Sequence, residues 1–167
     1  MLRKMEVLVS RSEEVLIGTL ILTASFILFA NVVARYVFNL GIPWAEELVR
    51  YQIVWMVFLG ASVAARQGVH IGVDILVKFA PAAVSKGVTL LVNAIGIAFC
   101  AALVFFGAEL IIQTRAFGQV SPAMQIPMWL VQLAIPVGSA LMGIRFAQRF
   151  FQALLGEAQQ THVEVIG

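Results

Sequence analysis

Arg66, His70 and Asp74 follow one another at intervals of four residues. On a helix that spacing lines all three along one face. A histidine and a carboxylate so placed are the start of a metal or proton-transfer site. Two ligands are too few for zinc, and Gly68 and Gly72 weaken a regular helix there. The expectation is therefore a structured loop held by local hydrogen bonds. A second group lies in the stretch "PWAEELVRY" at 43–51. Glu46 and Glu47 fall near the positive end of a helix dipole if Pro43 opens the helix. Arg50, four residues after Glu46, permits an ion pair along one face. Glu109 closes an apolar run, and a carboxylate at that depth is costly unless paired. Arg35 and Arg50 are its available partners; the alternative is a solvated carboxylate at the membrane surface.

The remaining polar groups read as structural. Asn31, Gln52, Asn93 and Gln132 stand within or near apolar runs, where such side chains more often hydrogen-bond between helices than line a path. Cys100 is the single cysteine. No intramolecular disulfide and no cysteine metal cluster can form, so it reads as a small buried hydrophobe. No phosphate-binding G-x-x-x-x-G-K-[ST] motif is present, and no serine–histidine or paired-carboxylate arrangement suggests hydrolysis. The chain is not expected to be an enzyme, and no cofactor is assigned to it.

These residues must be positioned by very hydrophobic elements. Of 167 residues, 61% are hydrophobic and 12% charged, with a mean hydropathy of +0.96. A soluble domain carries about 25% charged residues. The fold class is therefore an all-α integral membrane protein with four transmembrane helices. Residues 15–34 carry no charge and span ~30 Å as a helix. That run exceeds the roughly 7–15 residues of a signal-peptide core, so it reads as a retained span. Leu2, Met5 and Val9 suggest a short interfacial helix before it, within an N-terminal segment 1–14. The second span is harder to justify, because only 15 uncharged residues separate Arg50 from Arg66. Taken over 43–66 it reaches ~36 Å, with Trp44, Tyr51 and Trp55 as an interfacial collar and both arginines snorkelling. The third and fourth spans fall at 81–110 and 127–150, completing a membrane domain over 15–150. Pro136 should kink the last helix. Residues 151–167, with His162, form a polar tail.

Orientation follows from the cations. Both ends and the connection between the second and third spans hold Arg3, Lys4, Arg11, Arg66, Lys78, Lys86, Arg145 and Arg149. The opposite side holds Arg35, Arg50 and Arg115. The excess places both termini in the cytoplasm. A net charge of +2 without a basic run gives no footprint for nucleic acid.

Taken together, "RYVFN" at 35–39, "WAEELVRY" at 44–51, "WMVFLGASVAARQGVHIGVD" at 55–74 and "QIPMWLVQLAIPVG" at 125–138 resemble the small membrane subunit, the DctQ type, of tripartite ATP-independent periplasmic (TRAP) transporters. These blocks and the four-span layout cover most of the chain. The resemblance implies an accessory role in a secondary transporter of the bacterial inner membrane that takes up organic acids such as C4-dicarboxylates or sialic acid. It implies three kinds of partner: the large membrane subunit (M subunit), a periplasmic substrate-binding protein, and membrane lipids. Sodium coupling would lie in the large subunit. The charged ends of the second span agree with that accessory role: Trp44, Glu46, Glu47 and Arg50 would fix the periplasmic rim, and Arg66, His70 and Asp74 the cytoplasmic one, with Arg35 and Glu109 as further interface candidates. Two other classes compete: an independent small transporter, and a membrane anchor for a redox enzyme. The anchor would need axial haem ligands, and the spans contain no histidine.

Overall fold

The computed structural model describes residues 2–67 and 82–155, with side chains described over 11–66 and 84–155. Five helices account for most of them: α1 (Leu2–Phe38), α2 (Pro43–Gln67), α3 (Ala82–Ala116), α4 (Met128–Gln132) and α5 (Ala134–Leu155). Helix is the form that satisfies every backbone N–H and C=O within one segment, as an apolar solvent requires. Four stretches are long and apolar enough to cross a membrane: Arg11–Phe38, Pro43–Arg66, Val84–Ala116 and Met128–Leu155. The protein is thus an all-α, multi-pass membrane protein.

Local chemistry sets the helix ends. Pro43 opens α2, as its fixed φ and missing N–H allow. Asn39, at φ 52°, turns the chain out of α1, and the Leu40 N–H reaches back to the Ala34 carbonyl at 3.0 Å. At the end of α3, Gly118 adopts φ 60°. Its N–H bonds the Arg115 carbonyl, and the Gln119 N–H bonds that of Thr114. This paired closure needs a left-handed residue, which glycine supplies without a Cβ clash. α4 and α5 form one span broken at Leu133. The break lies one turn before Pro136, whose ring excludes the carbonyl four residues earlier. The kink expected at Pro136 is present. α1, by contrast, runs unbroken from Leu2 to Phe38, so residues 2–14 and the first apolar span share one helix.

The helices stand in a row. α1 packs on α2, α2 on α5, and α5 on α3, while α4 caps the α3–α5 seam and touches α2; no other pair of these helices packs together. Small residues bring the backbones close. A Cβ on Gly138 would lie 2.6 Å from the Phe58 Cβ and 2.9 Å from its carbonyl, and one on Gly143 would lie 3.2 Å from the Cys100 Cβ. Gly96 faces the Phe146 ring and Gly107 faces Ile135 and Pro136 in the same way. The core is therefore a thin seam: Ala65, Cys100 and Phe146, with Ile97 and Met142 against them. Cys100 is the small buried hydrophobe expected of it. Even the most enclosed span is only 33% buried, so most apolar surface faces outward.

Since only the α2–α5 seam forbids a side chain outright, Gly138→Ala should destabilise the protein by about 1–3 kcal/mol. Gly60→Ala, which meets nothing within 4 Å, should leave the melting temperature in detergent unchanged. Equal melting temperatures for the two variants would contradict the close packing of α2 on α5.

Candidate functional site

Polar side chains gather at the two ends of the row and define two rims. At the end where α2 begins, the connection 39–42 is fastened from inside. Asn31 is buried, and its side-chain oxygen accepts the Ile42 N–H at 3.1 Å. Its amide nitrogen reaches the Glu46 carboxylate at 3.4 Å, and Arg35 forms an ion pair with the same Glu46 oxygen. The expected Glu46–Arg50 pair within one helix is not made. Arg35 lies across the α1–α2 seam and takes that carboxylate instead.

Glu47 points the other way, into the protein. One carboxylate oxygen accepts the Tyr51 hydroxyl; the other accepts the N–H groups of Ala123 and Met124, each at 2.9 Å. The loop 119–128 is closed on itself as well: the Ser121 N–H donates to the Ile126 carbonyl at 2.9 Å, and the Met128 N–H bonds the Gln119 carbonyl at 3.0 Å. One carboxylate thus ties the start of α2 to the whole α3–α4 connection. Tyr51, expected in an interfacial collar, is buried, because its hydroxyl serves this carboxylate and also lies 3.4 Å from the Met128 sulfur. Trp44 is exposed at the same rim. A cleft of about 540 Å³ opens between α2 and the loop, lined by Glu46, Arg50, Gln119 and Pro122 among others. Arg50 is exposed there and takes part in none of the three ion pairs among the described residues.

The opposite rim is built around a buried ion pair. Arg145 on α5 binds the Glu13 carboxylate on α1 and donates to the Ser62 carbonyl on α2 at 3.0 Å. The Ser62 hydroxyl donates to the other Glu13 oxygen at 3.3 Å. Three helices therefore share one polar knot, and both charged groups are buried. Around it, Arg66 pairs with Glu14, Arg149 donates to the Arg66 carbonyl at 2.7 Å, and Lys86 donates to the Leu154 carbonyl at 3.2 Å. Lys86 thereby meets the negative end of α5. His70 and Asp74 lie outside the described residues.

Glu109 belongs to neither rim. Arg35 and Arg50 do not reach it, because α5 stands between α3 and the α1–α2 pair. Gln113, one turn along α3, offers it a long hydrogen bond of 3.4 Å. The polar residues within the spans divide. Gln52 donates across the α1–α2 seam to Thr23 at 3.0 Å, whereas Asn93 bonds the Thr89 carbonyl of its own helix at 2.7 Å. Sequence reading set Glu13 outside the first span, since its partner lies 132 residues away.

Residues 24–156 match the family described as "Tripartite ATP-independent periplasmic transporters, DctQ component". Among individual proteins, the chain is 31% identical to the C4-dicarboxylate TRAP transporter small permease protein of Rhodobacter capsulatus, over 86% of this chain and 77% of that one. It is 32% identical to the protein of the same description from Vibrio cholerae, over 87% of this chain and 72% of that one. It is also 30% identical to the sialic acid TRAP transporter permease protein SiaT of Haemophilus influenzae, over 84% of this chain but 22% of that one.

The knot predicts a large, asymmetric response to substitution. Glu13→Ala should cost about 3–5 kcal/mol, because Arg145 is left buried and unpaired. Joint replacement of Glu13→Leu and Arg145→Met should recover most of that loss in thermal unfolding. Additive losses in the double variant would show that the two side chains do not act as a pair. At the other rim, Glu47→Ala should speed amide hydrogen exchange at Ala123 and Met124, while Glu46→Gln should not. Unchanged exchange in Glu47→Ala would remove its role as the fastener of the loop.

Proposed function

Because this chain belongs to the DctQ component family of TRAP transporters, and is therefore a transporter component rather than an enzyme, we propose that it serves as a fixed wall beside a larger permease subunit in the bacterial inner membrane. The observation that carries this reading is the open row of helices. Three seams leave most apolar surface uncovered, and both rims are pinned by ion pairs that hold the depth of the row. Such a slab adds area and vertical anchoring to a neighbour. A match to only 22% of SiaT supports the partner, since there the corresponding segment is part of a much longer permease chain. A shorter match of the same kind is found to an isethionate TRAP permease protein, DctMQ, of Oleidesulfovibrio alaskensis, with 16% of that chain covered.

In this reading the transported solute is an organic acid, and its site and the sodium coupling reside in the large subunit. The rim with Trp44, Glu46, Glu47 and Arg50 faces the periplasm, and the rim with Glu13, Arg66 and Arg145 faces the cytoplasm, as the excess of cations on the latter side favours. The periplasmic cleft beside Arg50 is the surface that helps dock the substrate-binding protein. Names among the relatives cover C4-dicarboxylate, sialic acid and ectoine, so the choice of solute is assigned to the partners rather than to this chain.

Co-expression with its large permease should give a complex that survives purification in mild detergent through a tag on this chain. Replacing Glu46 and Glu47 together by alanine should lower organic-acid uptake by cells that depend on this transporter. Full recovery of this chain alone, with no large subunit attached, would overturn the proposed partnership.

A further inference from the structure

Glu109 sits on the side of α3 that faces away from α5. The buried or packed positions Asn93, Gly96, Cys100, Gly107 and Thr114 mark the α5-facing side. At about 100° per residue, Glu109 falls on the opposite side with Leu91, Ile95, Ala98, Ala102 and Gln113, all of them exposed. Phe105 and Phe106 flank that stripe, and each is more than 60% exposed.

The depth of Glu109 can be read from its neighbours. Arg115, at the rim, lies over the Trp129 ring at 5.8 Å from its centre. Glu109 is six residues further in, about 9 Å along the helix. Gly107 packs on Ile135 and Pro136, which sets Glu109 level with Ala134. From Ala134 to Arg145 of the buried knot is eleven residues, about 16 Å. Glu109 therefore stands about 9 Å inward of Arg115 along an apolar span, on an outward face, and among the described residues its one hydrogen bond is the long one from Gln113.

Resting on the reading that a larger permease stands beside this chain, we propose that the Leu91–Gln113 face of α3 docks a transmembrane helix of that subunit, and that a lysine or arginine on that helix pairs with Glu109. The charge complementarity follows from the site itself. An ionisable group in the hydrocarbon region needs a partner or a wet cavity, and no cation of this chain among the described residues pairs with it. Ala98 and Ala102, one turn apart, let a second helix come close. Lipid tails bring no cation to this depth. A second copy of this chain packed face to face would bring two Glu109 carboxylates together, which repels rather than binds.

The test uses the co-expressed complex in membranes. Glu109→Asp should retain the large subunit, Glu109→Gln should weaken its retention by about three- to twentyfold, and Glu109→Lys should abolish it. Leu22→Gln, on the exposed face of α1, should behave as wild type, and the melting temperature of each isolated variant should be unchanged. A photo-cross-linking residue in place of Ala102 should form its adduct with the large subunit. Adducts with lipid alone or with a second copy, or full retention in Glu109→Lys, would overturn the docking face. If the wild-type chain retains the large subunit while those results are found, only this face is wrong. If even the wild type retains nothing, the partnership fails first.

Discussion

A row of four helices has three seams, and three seams cannot hide the apolar surface of four rods. That constraint governs the rest of the structure. A closed bundle would bury one side of every helix; here α1 packs along α2 alone, and α3 packs only along the broken span formed by α4 and α5. With so little seam available, close approach matters more than area. This explains glycine at 96, 107, 138 and 143, where larger side chains would part the backbones. In a bilayer the uncovered faces are not penalised, because lipid tails are as apolar as leucine. The row is stable as a membrane object while remaining open to a protein neighbour.

Packing alone does not fix how far each rod slides along the next. The polar contacts at the ends supply that register. Glu13, Ser62 and Arg145 lock three helices at one level, and the Arg35–Glu46 pair with Asn31 locks two of them at the other. A buried ion pair contributes little net stability compared with apolar packing, but breaking it by halves is expensive, so slippage of one helix past another is strongly opposed. Glu47 extends the same control to the loop 119–128, whose backbone N–H groups it gathers. The fixed wall proposed for this chain would require this kind of definition.

Much of the architecture was legible in the sequence, since it depends on local chemistry. Uncharged runs gave the spans, Pro43 gave the start of α2, and Pro136 gave the kink at Leu133. What escaped was set by contacts distant in the chain. Nothing near Glu13 announces that Arg145 will bury it, and Tyr51 reads as an interfacial aromatic until Glu47 is seen to bind its hydroxyl. The local expectation of a Glu46–Arg50 pair failed because a cation on α1 stood closer. Glu109 was recognisable as a costly charge, but its isolation became visible only once the order α1–α2–α5–α3 placed both candidate arginines on the far side of α5.

The proposed role is that of a wall that carries no solute itself. Reconstitution of the purified chain alone into lipid vesicles, followed by measurement of radiolabelled organic-acid uptake under an imposed sodium gradient, tests that claim most directly. Uptake no greater than in empty vesicles is expected, with transport appearing only when the large subunit and the binding protein are added. Sustained accumulation of solute by vesicles holding this chain alone would contradict it.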